Sequence, residues 1–129
     1  MPKPKPPTIS DAEWDVMQAL WDAYGPLSAN DVVDRVAGRR GWSPKTVKTL
    51  LNRLVKKAAL GFEAEGNRYR YFPAVTRQAC VRRESRSFLD RVFGGAAGPL
   101  LAHFVNEAPL TDDEVRALKE LLDRRRPPG

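Results

Sequence analysis

The sequence predicts a mainly α-helical chain with one small β-hairpin near its middle. Three observations carry this. Between residues 10 and 60, three segments each start on a serine suited to cap a helix and then repeat apolar residues at helical spacing. From Gly61 to Pro73 the period drops from 3.6 to 2. From Thr76 the helical period returns in three further short segments.

The first helix is expected to start at Ser10, with Glu13 completing a capping box, and to bury Trp14, Met17, Leu20, Trp21 and Tyr24 before Gly25-Pro26 stops it. A second starts at Ser28, with Asp31 in the third position and Val32, Val33, Val36 and Ala37 facing inward. After the Gly38–Gly41 turn comes the most informative segment, WSPKTVKTLLNRLVKKAAL at 42–60. Ser43 caps it, Pro44 occupies the first helical position where a missing N–H costs nothing, and Trp42 and Val47 are placed for a hydrophobic staple. Val47, Leu50, Leu51, Leu54, Val55 and Ala58 then form one apolar face. The opposite face carries Lys45, Lys48, Thr49, Asn52, Arg53 and Lys56 without one acidic residue. Solvated helices mix signs so that residues four apart can pair, and an all-cationic stripe instead points to a polyanion.

The hairpin follows: Phe62 and Ala64 alternate with charged residues, Glu65-Gly66-Asn67 has turn chemistry, and Tyr69 and Tyr71 alternate with Arg68 and Arg70. Its tip and returning strand read as positively charged, and both tyrosines are expected to pack on the helical body. Three helices followed by such a hairpin make a winged helix-turn-helix, whose third helix enters the major groove while the wing meets the backbone or minor groove. In that frame Lys45, Thr46 and Thr49 lie near the bases, Lys48, Arg53 and Lys56 are phosphate clamps, and Asn52 stands between them. Arg68, with Asn67 and Arg70, anchors the wing.

Charge distribution supports a local phosphate-binding surface. The chain carries +6 in total, yet residues 8–38 carry −5 and residues 39–73 carry +7.

Beyond the wing, 77–93, 99–107 and a helix opened by the Thr111/Glu114 capping box are short and amphipathic. They carry Phe88, Leu89, Val92, Phe93, Leu100, Leu101, Phe104, Leu118, Leu121 and Leu122. So much apolar surface in about 50 residues exceeds what three short helices bury alone, and a second copy of the chain is the expected cover. A twofold dimer also places two reading heads on a pseudo-palindromic site in double-stranded DNA. The expected organisation is a disordered basic leader over 1–8, a winged helix-turn-helix over 9–75 and a three-helix dimerisation region over 76–126.

Several chemistries are excluded. The single cysteine, Cys80, supports neither a disulfide nor a cysteine-rich metal site and reads as a small buried hydrophobe. The single histidine, His103, sits among apolar neighbours, so neither a two-histidine metal site nor a catalytic triad is expected. Asp112-Asp113-Glu114 fill a helix's first turn, where negative charge complements the dipole. No glycine-rich phosphate loop is present. No catalytic residue, metal or cofactor is therefore expected. With no apolar run of spanning length and no signal peptide, the expectation is a cytoplasmic protein without membrane insertion.

In order and in motif, AEWDVMQALW at 12–21, SANDVVDRV at 28–36, the 42–60 segment, RYRYFPAVTR at 68–77, SFLDRVFGG at 87–95 and PLLAHF at 99–104 resemble the BlaI/MecI/CopY family of bacterial repressors. The resemblance spans Ile9 to Arg125. It implies a homodimeric repressor over a promoter, often of β-lactamase or related stress-response genes, inactivated when a BlaR/MecR-type membrane sensor protease cuts an Asn-Phe bond. The pair at that place here is His103-Phe104, which keeps the location and changes the first residue. The copper-responsive branch carries a cysteine-rich C-terminus, and the ending DRRRPPG does not, which argues against copper sensing. Two other classes stay open on sequence alone: a small-molecule-responsive regulator similar to the MarR type, with an effector pocket, and a winged-helix protein-interaction module.

Overall fold

A computed structural model describes residues 6–125; most of the expected basic leader and the chain end from 126 lie outside the described residues. In order, the described residues form α1 (Asp11–Asp22), β1 (Leu27–Ser28), α2 (Ala29–Arg40), α3 (Pro44–Lys56), β2 (Leu60–Glu65), β3 (Arg68–Pro73), α4 (Arg77–Phe93), α5 (Ala97–Glu107) and α6 (Asp112–Arg124). Contacts group them into one unit up to Arg86 and another from Ser87 on, the boundary falling inside α4.

In the first unit, Ser10, Ser28 and Ser43 cap α1, α2 and α3 as their spacing predicts, the first two with full capping boxes. Gly41, at φ +63°, ends α2 in the left-handed conformation that glycine adopts without a Cβ penalty. The core gathers Val16, Met17 and Leu20 of α1, Val32 and Val36 of α2, and Val47, Leu50, Leu51 and Leu54 of α3, with Ile9, Leu27, Leu60, Tyr71 and Cys80 closing it. Each aliphatic side chain so buried contributes about 1.5–3 kcal/mol. Trp14 and Trp21 pack edge to face at its margin, 5.3 Å between centroids, and the Trp21 indole N–H donates to the Val75 carbonyl at 3.0 Å.

The sheet is antiparallel in the order β1-β3-β2. Leu27 lies opposite Tyr71, and β2 meets β3 in a register running from Leu60 opposite Pro73 to Glu65 opposite Arg68. The turn is two residues, Gly66-Asn67, with Gly66 at φ +64°, the position where a hairpin turn of this length takes a positive φ. Gly61 is required for a different reason: a Cβ there would stand 2.5 Å from the ring of Phe72, which covers it from across the sheet.

The structure corrects five details. Tyr24 lies beyond the end of α1 and is fully exposed. Ala37 faces solvent. The basic helix ends at Lys56, with Lys57 as its cap, because Ala58 turns left-handed at φ +63°. Ala58 N–H then donates to Val55 O (3.0 Å) and Ala59 N–H to Leu54 O (2.9 Å), the bonding pattern of a Schellman motif with alanine in glycine's place. Of the two tyrosines only Tyr71 is buried; Tyr69 is 55% exposed and packs edge to face on Phe62, 5.1 Å away. The strand β1 was not foreseen, since two residues are too few to show a period.

In the second unit Gly94 and Gly95, at φ +59° and +86°, turn the chain between α4 and α5. A capping box from Thr111 and Glu114 starts α6. No residue of α5 or α6 is buried. Leu89, Phe93, Leu100 and Leu118 are half-buried, while Phe88, Val92, Leu101, Phe104, Leu121 and Leu122 are exposed.

Candidate nucleic-acid interface

Helix α3 separates its two faces completely. Val47, Leu50, Leu51 and Leu54 are buried, and Lys45, Thr46, Lys48, Thr49, Asn52, Arg53 and Lys56 are all exposed. Among the described residues none of its four stripe cations, Lys45, Lys48, Arg53 and Lys56, forms an ion pair. The two threonines are partly committed within the protein. Thr49 Oγ1 donates to the Lys45 carbonyl at 3.0 Å, and Thr46 Oγ1 lies 3.1 Å from the capping Ser43 Oγ.

Two contacts tie the ends of this helix to the rest of the unit. Trp42, half-buried at its start, packs against the core under the Arg40 guanidinium, 5.5 Å from its ring centroid. At the other end Lys57 Nζ reaches Glu13 Oε1 at 2.5 Å and the Thr8 carbonyl at 3.0 Å. Glu13 is 1% exposed, and its Oε1 also accepts from the Ser10 N–H at 3.0 Å, whereas the buried Oε2 has no partner. Burial pushes this carboxyl's pKa up, but the Lys57 and Ser10 hydrogen bonds outweigh it and hold the group below its ordinary value. The sequence reading assigned Glu13 to capping only. Its place on the Val16, Met17 and Leu20 stripe was the signal that the carboxylate is buried and needs a cation.

The wing carries Asn67, Arg68 and Arg70, all exposed. Register sets Glu63 opposite Arg70 and Glu65 opposite Arg68, so the glutamates of β2 offset the two cations of the returning strand β3. The ion pair that forms is diagonal, Arg70 Nε to Glu65 Oε2 at 2.6 Å. Arg68 makes none among the described residues. Ser28, Asp31, Glu65, Arg68 and Arg70 line a cleft of about 400 Å³ where the α2 start faces the wing. Hydrogen bonds from the Ser28 backbone and hydroxyl lower the Asp31 pKa, with Arg70's charge adding to the effect.

In the second unit His103 and Phe104 lie within α5, both exposed, their rings 5.6 Å apart, with Phe93 6.4 Å from His103. Cys80 belongs to the first unit's core, and burial raises its thiol pKa, helped by the Glu84 charge. No group of three metal-binding side chains occurs among the described residues.

A capped trihelical body, a basic third helix and a hairpin wing define a winged helix-turn-helix DNA-binding protein. The penicillinase repressor family model matches residues 9–124, and the chain belongs to that family. The penicillinase repressor of Bacillus licheniformis is 33% identical over 122 residues, 95% of this chain and 94% of that one. The methicillin resistance regulatory protein MecI of Mammaliicoccus sciuri is 32% identical over 118 residues, 91% and 94% of the two chains. Among solved structures, the DNA-binding domain of the repressor BlaI is 39% identical with a TM-score of 0.53, covering 58% of this chain and 90% of that one. The monomeric form of Bacillus licheniformis BlaI in complex with the blaP half-operator gives 39% and 0.51 over the same shares. This chain is accordingly a DNA-binding transcriptional repressor and not an enzyme.

Proposed function

We propose that the chain represses transcription in the cytoplasm as a homodimer on a pseudo-palindromic operator. A head over 9–75 reads each half-site, and a region over 76–126 holds the two copies together. Lys45, Thr46 and Thr49 face base edges from the first turns of α3; Lys48, Arg53 and Lys56 meet phosphates, and Asn52 lies between the two sets. Arg68 anchors the wing to the neighbouring backbone, with Asn67 and Arg70 as secondary positions beside it. One observation carries this reading: an exposed helix face of four cations without a carboxylate partner among the described residues, backed by the buried Val47, Leu50, Leu51 and Leu54.

The half-exposed apolar side chains of α4, α5 and α6 support pairing with a second copy. Release follows cleavage at His103-Phe104 by a BlaR/MecR-type membrane sensor protease. The bond lies inside α5, so the helix opens locally before it is cut. Cutting there separates α6 and dissolves the bivalency, which costs roughly 10²–10⁴ in affinity. In keeping with a cytoplasmic repressor, no helix among the described residues is long and apolar enough to cross a membrane.

The test is titration of the full chain onto duplexes carrying one or two half-sites from its own promoter, with mass analysis of the chain after induction beside its own sensor protease. The proposal requires two copies per two-site duplex, much weaker single-site binding, and a fragment ending at His103. One copy per duplex removes the dimer; derepression with the chain intact removes the proteolytic route.

A further inference from the structure

The wing holds a cation that the fold does not leave available. On the hairpin face opposite Tyr71, register places Glu63, Glu65, Arg68 and Arg70 together. Arg68 stands directly across from Glu65 but makes no ion pair, while Arg70 reaches diagonally to Glu65 at 2.6 Å. Arg70 also shares the cleft with Asp31, whose carboxylate it helps to hold ionised. Glu65, at ion-pair distance and with the Asp31 charge nearby, therefore competes with any phosphate for this guanidinium, whereas Arg68 faces no carboxylate at ion-pair distance among the described residues.

We propose that Glu65 limits the affinity of this repressor for DNA by holding Arg70 away from the phosphate backbone. The pair is half-exposed on both sides, and such pairs are weak enough to exchange. A phosphate that took Arg70 would nevertheless leave Glu65 unpaired beside a like charge, and that repulsion keeps the exchange unfavourable. The wing thus engages DNA chiefly through Arg68, with Asn67 beside it and Arg70 as a latent further contact. The inference rests on the wing as a DNA anchor.

Glu63 provides an internal control. It lies on the same face, opposite Arg70 in register, yet makes no ion pair among the described residues. Glu63→Gln and Glu65→Gln remove the same charge from nearly the same place, and only the second frees Arg70. The experiment measures binding of the full-length wild type, Glu63→Gln, Glu65→Gln and Arg68→Gln to a duplex of the chain's own promoter, by fluorescence anisotropy from about 50 to 200 mM salt. Glu65→Gln is expected to tighten binding several-fold and to steepen the salt dependence by about 0.9 in slope, the signature of one added phosphate contact. Glu63→Gln is expected to give a smaller gain with the wild-type slope. Equal effects of the two, or weaker binding by Glu65→Gln, overturn the proposal; the latter would mean that Glu65 presents Arg70 to the DNA. Arg68→Gln reports separately on the wing. If it weakens binding while the two glutamate variants match, only the gate fails. If neither Arg68→Gln nor Glu65→Gln changes binding, the wing is not a DNA anchor and the gate falls with it.

Discussion

Replacing Lys57 with methionine isolates the contact that ties the end of α3 to the buried Glu13 of α1. Methionine keeps most of the aliphatic stem and removes the ammonium that Glu13 Oε1 meets at 2.5 Å. Glu13 would remain 1% exposed with one partner, the Ser10 N–H, and with Oε2 already unpaired. Breaking a fully buried pair costs about 3–5 kcal/mol, and because the Lys57 side chain is 36% exposed the expected loss is about 2–3 kcal/mol. In a unit of this size that lowers Tm by roughly 10–20 °C. The pH dependence is the sharper signature. In the wild type the Glu13 pKa lies below its ordinary 4.5, so its contribution is complete above that value and is lost as the pH falls through the folded pKa. In Lys57→Met burial still raises the pKa while the ammonium that lowers it is gone, so the folded pKa lies higher than in the wild type and the variant loses less stability as the pH falls. The gap in Tm is therefore widest near neutral pH and narrows as the pH falls below the ordinary carboxyl value of 4.5. Thermal unfolding by circular dichroism at several pH values measures it. A gap that stays constant with pH, or one under about 0.5 kcal/mol, refutes the assignment of a buried carboxylate held by Lys57.

Three further outcomes follow from local geometry. Ala58→Gly relieves a left-handed alanine at the end of α3 and should raise stability by about 0.5–1 kcal/mol in denaturant titrations, whereas destabilisation would show that the strained turn is compensated elsewhere. Gly61→Ala drives a methyl into the Phe72 ring and should cost about 1–2 kcal/mol, with much of the loss removed in a Phe72→Ala background; equal costs in both backgrounds would locate the strain elsewhere. If the proposed dimer forms through these helices, Leu122→Asp, at an exposed apolar position of α6, should shift sedimentation toward the monomer without lowering the Tm of the first unit, and a wild type that already sediments as a monomer would refute it.

Where each device uses side-chain chemistry with a fixed period, it was legible in the sequence. The three serine caps, the buried Val47-Leu50-Leu51-Leu54 stripe and the hairpin ending at Pro73 all occur where spacing places them. What was missed depends on contacts between distant segments. Alanine stops α3 in a conformation usually signalled by glycine, so the helix was read four residues too long. Glu13 and Lys57, 44 residues apart, offered no local clue that they are partners. The cross-strand register sets two glutamates against two arginines, which an alternation of residues along one strand does not reveal. The exposed stripe on α3 was legible in full, because a helix face is set by spacing alone.

The salt dependence of operator binding by the full chain, with and without Lys48→Gln, Arg53→Gln and Lys56→Gln combined, tests the assignment of the α3 stripe to the DNA backbone most directly. If each cation neutralises one phosphate, the slope of log affinity against log salt should fall by about 2–3 in the triple variant, with binding weakened uniformly across sequences. An unchanged slope, with affinity intact, would contradict it.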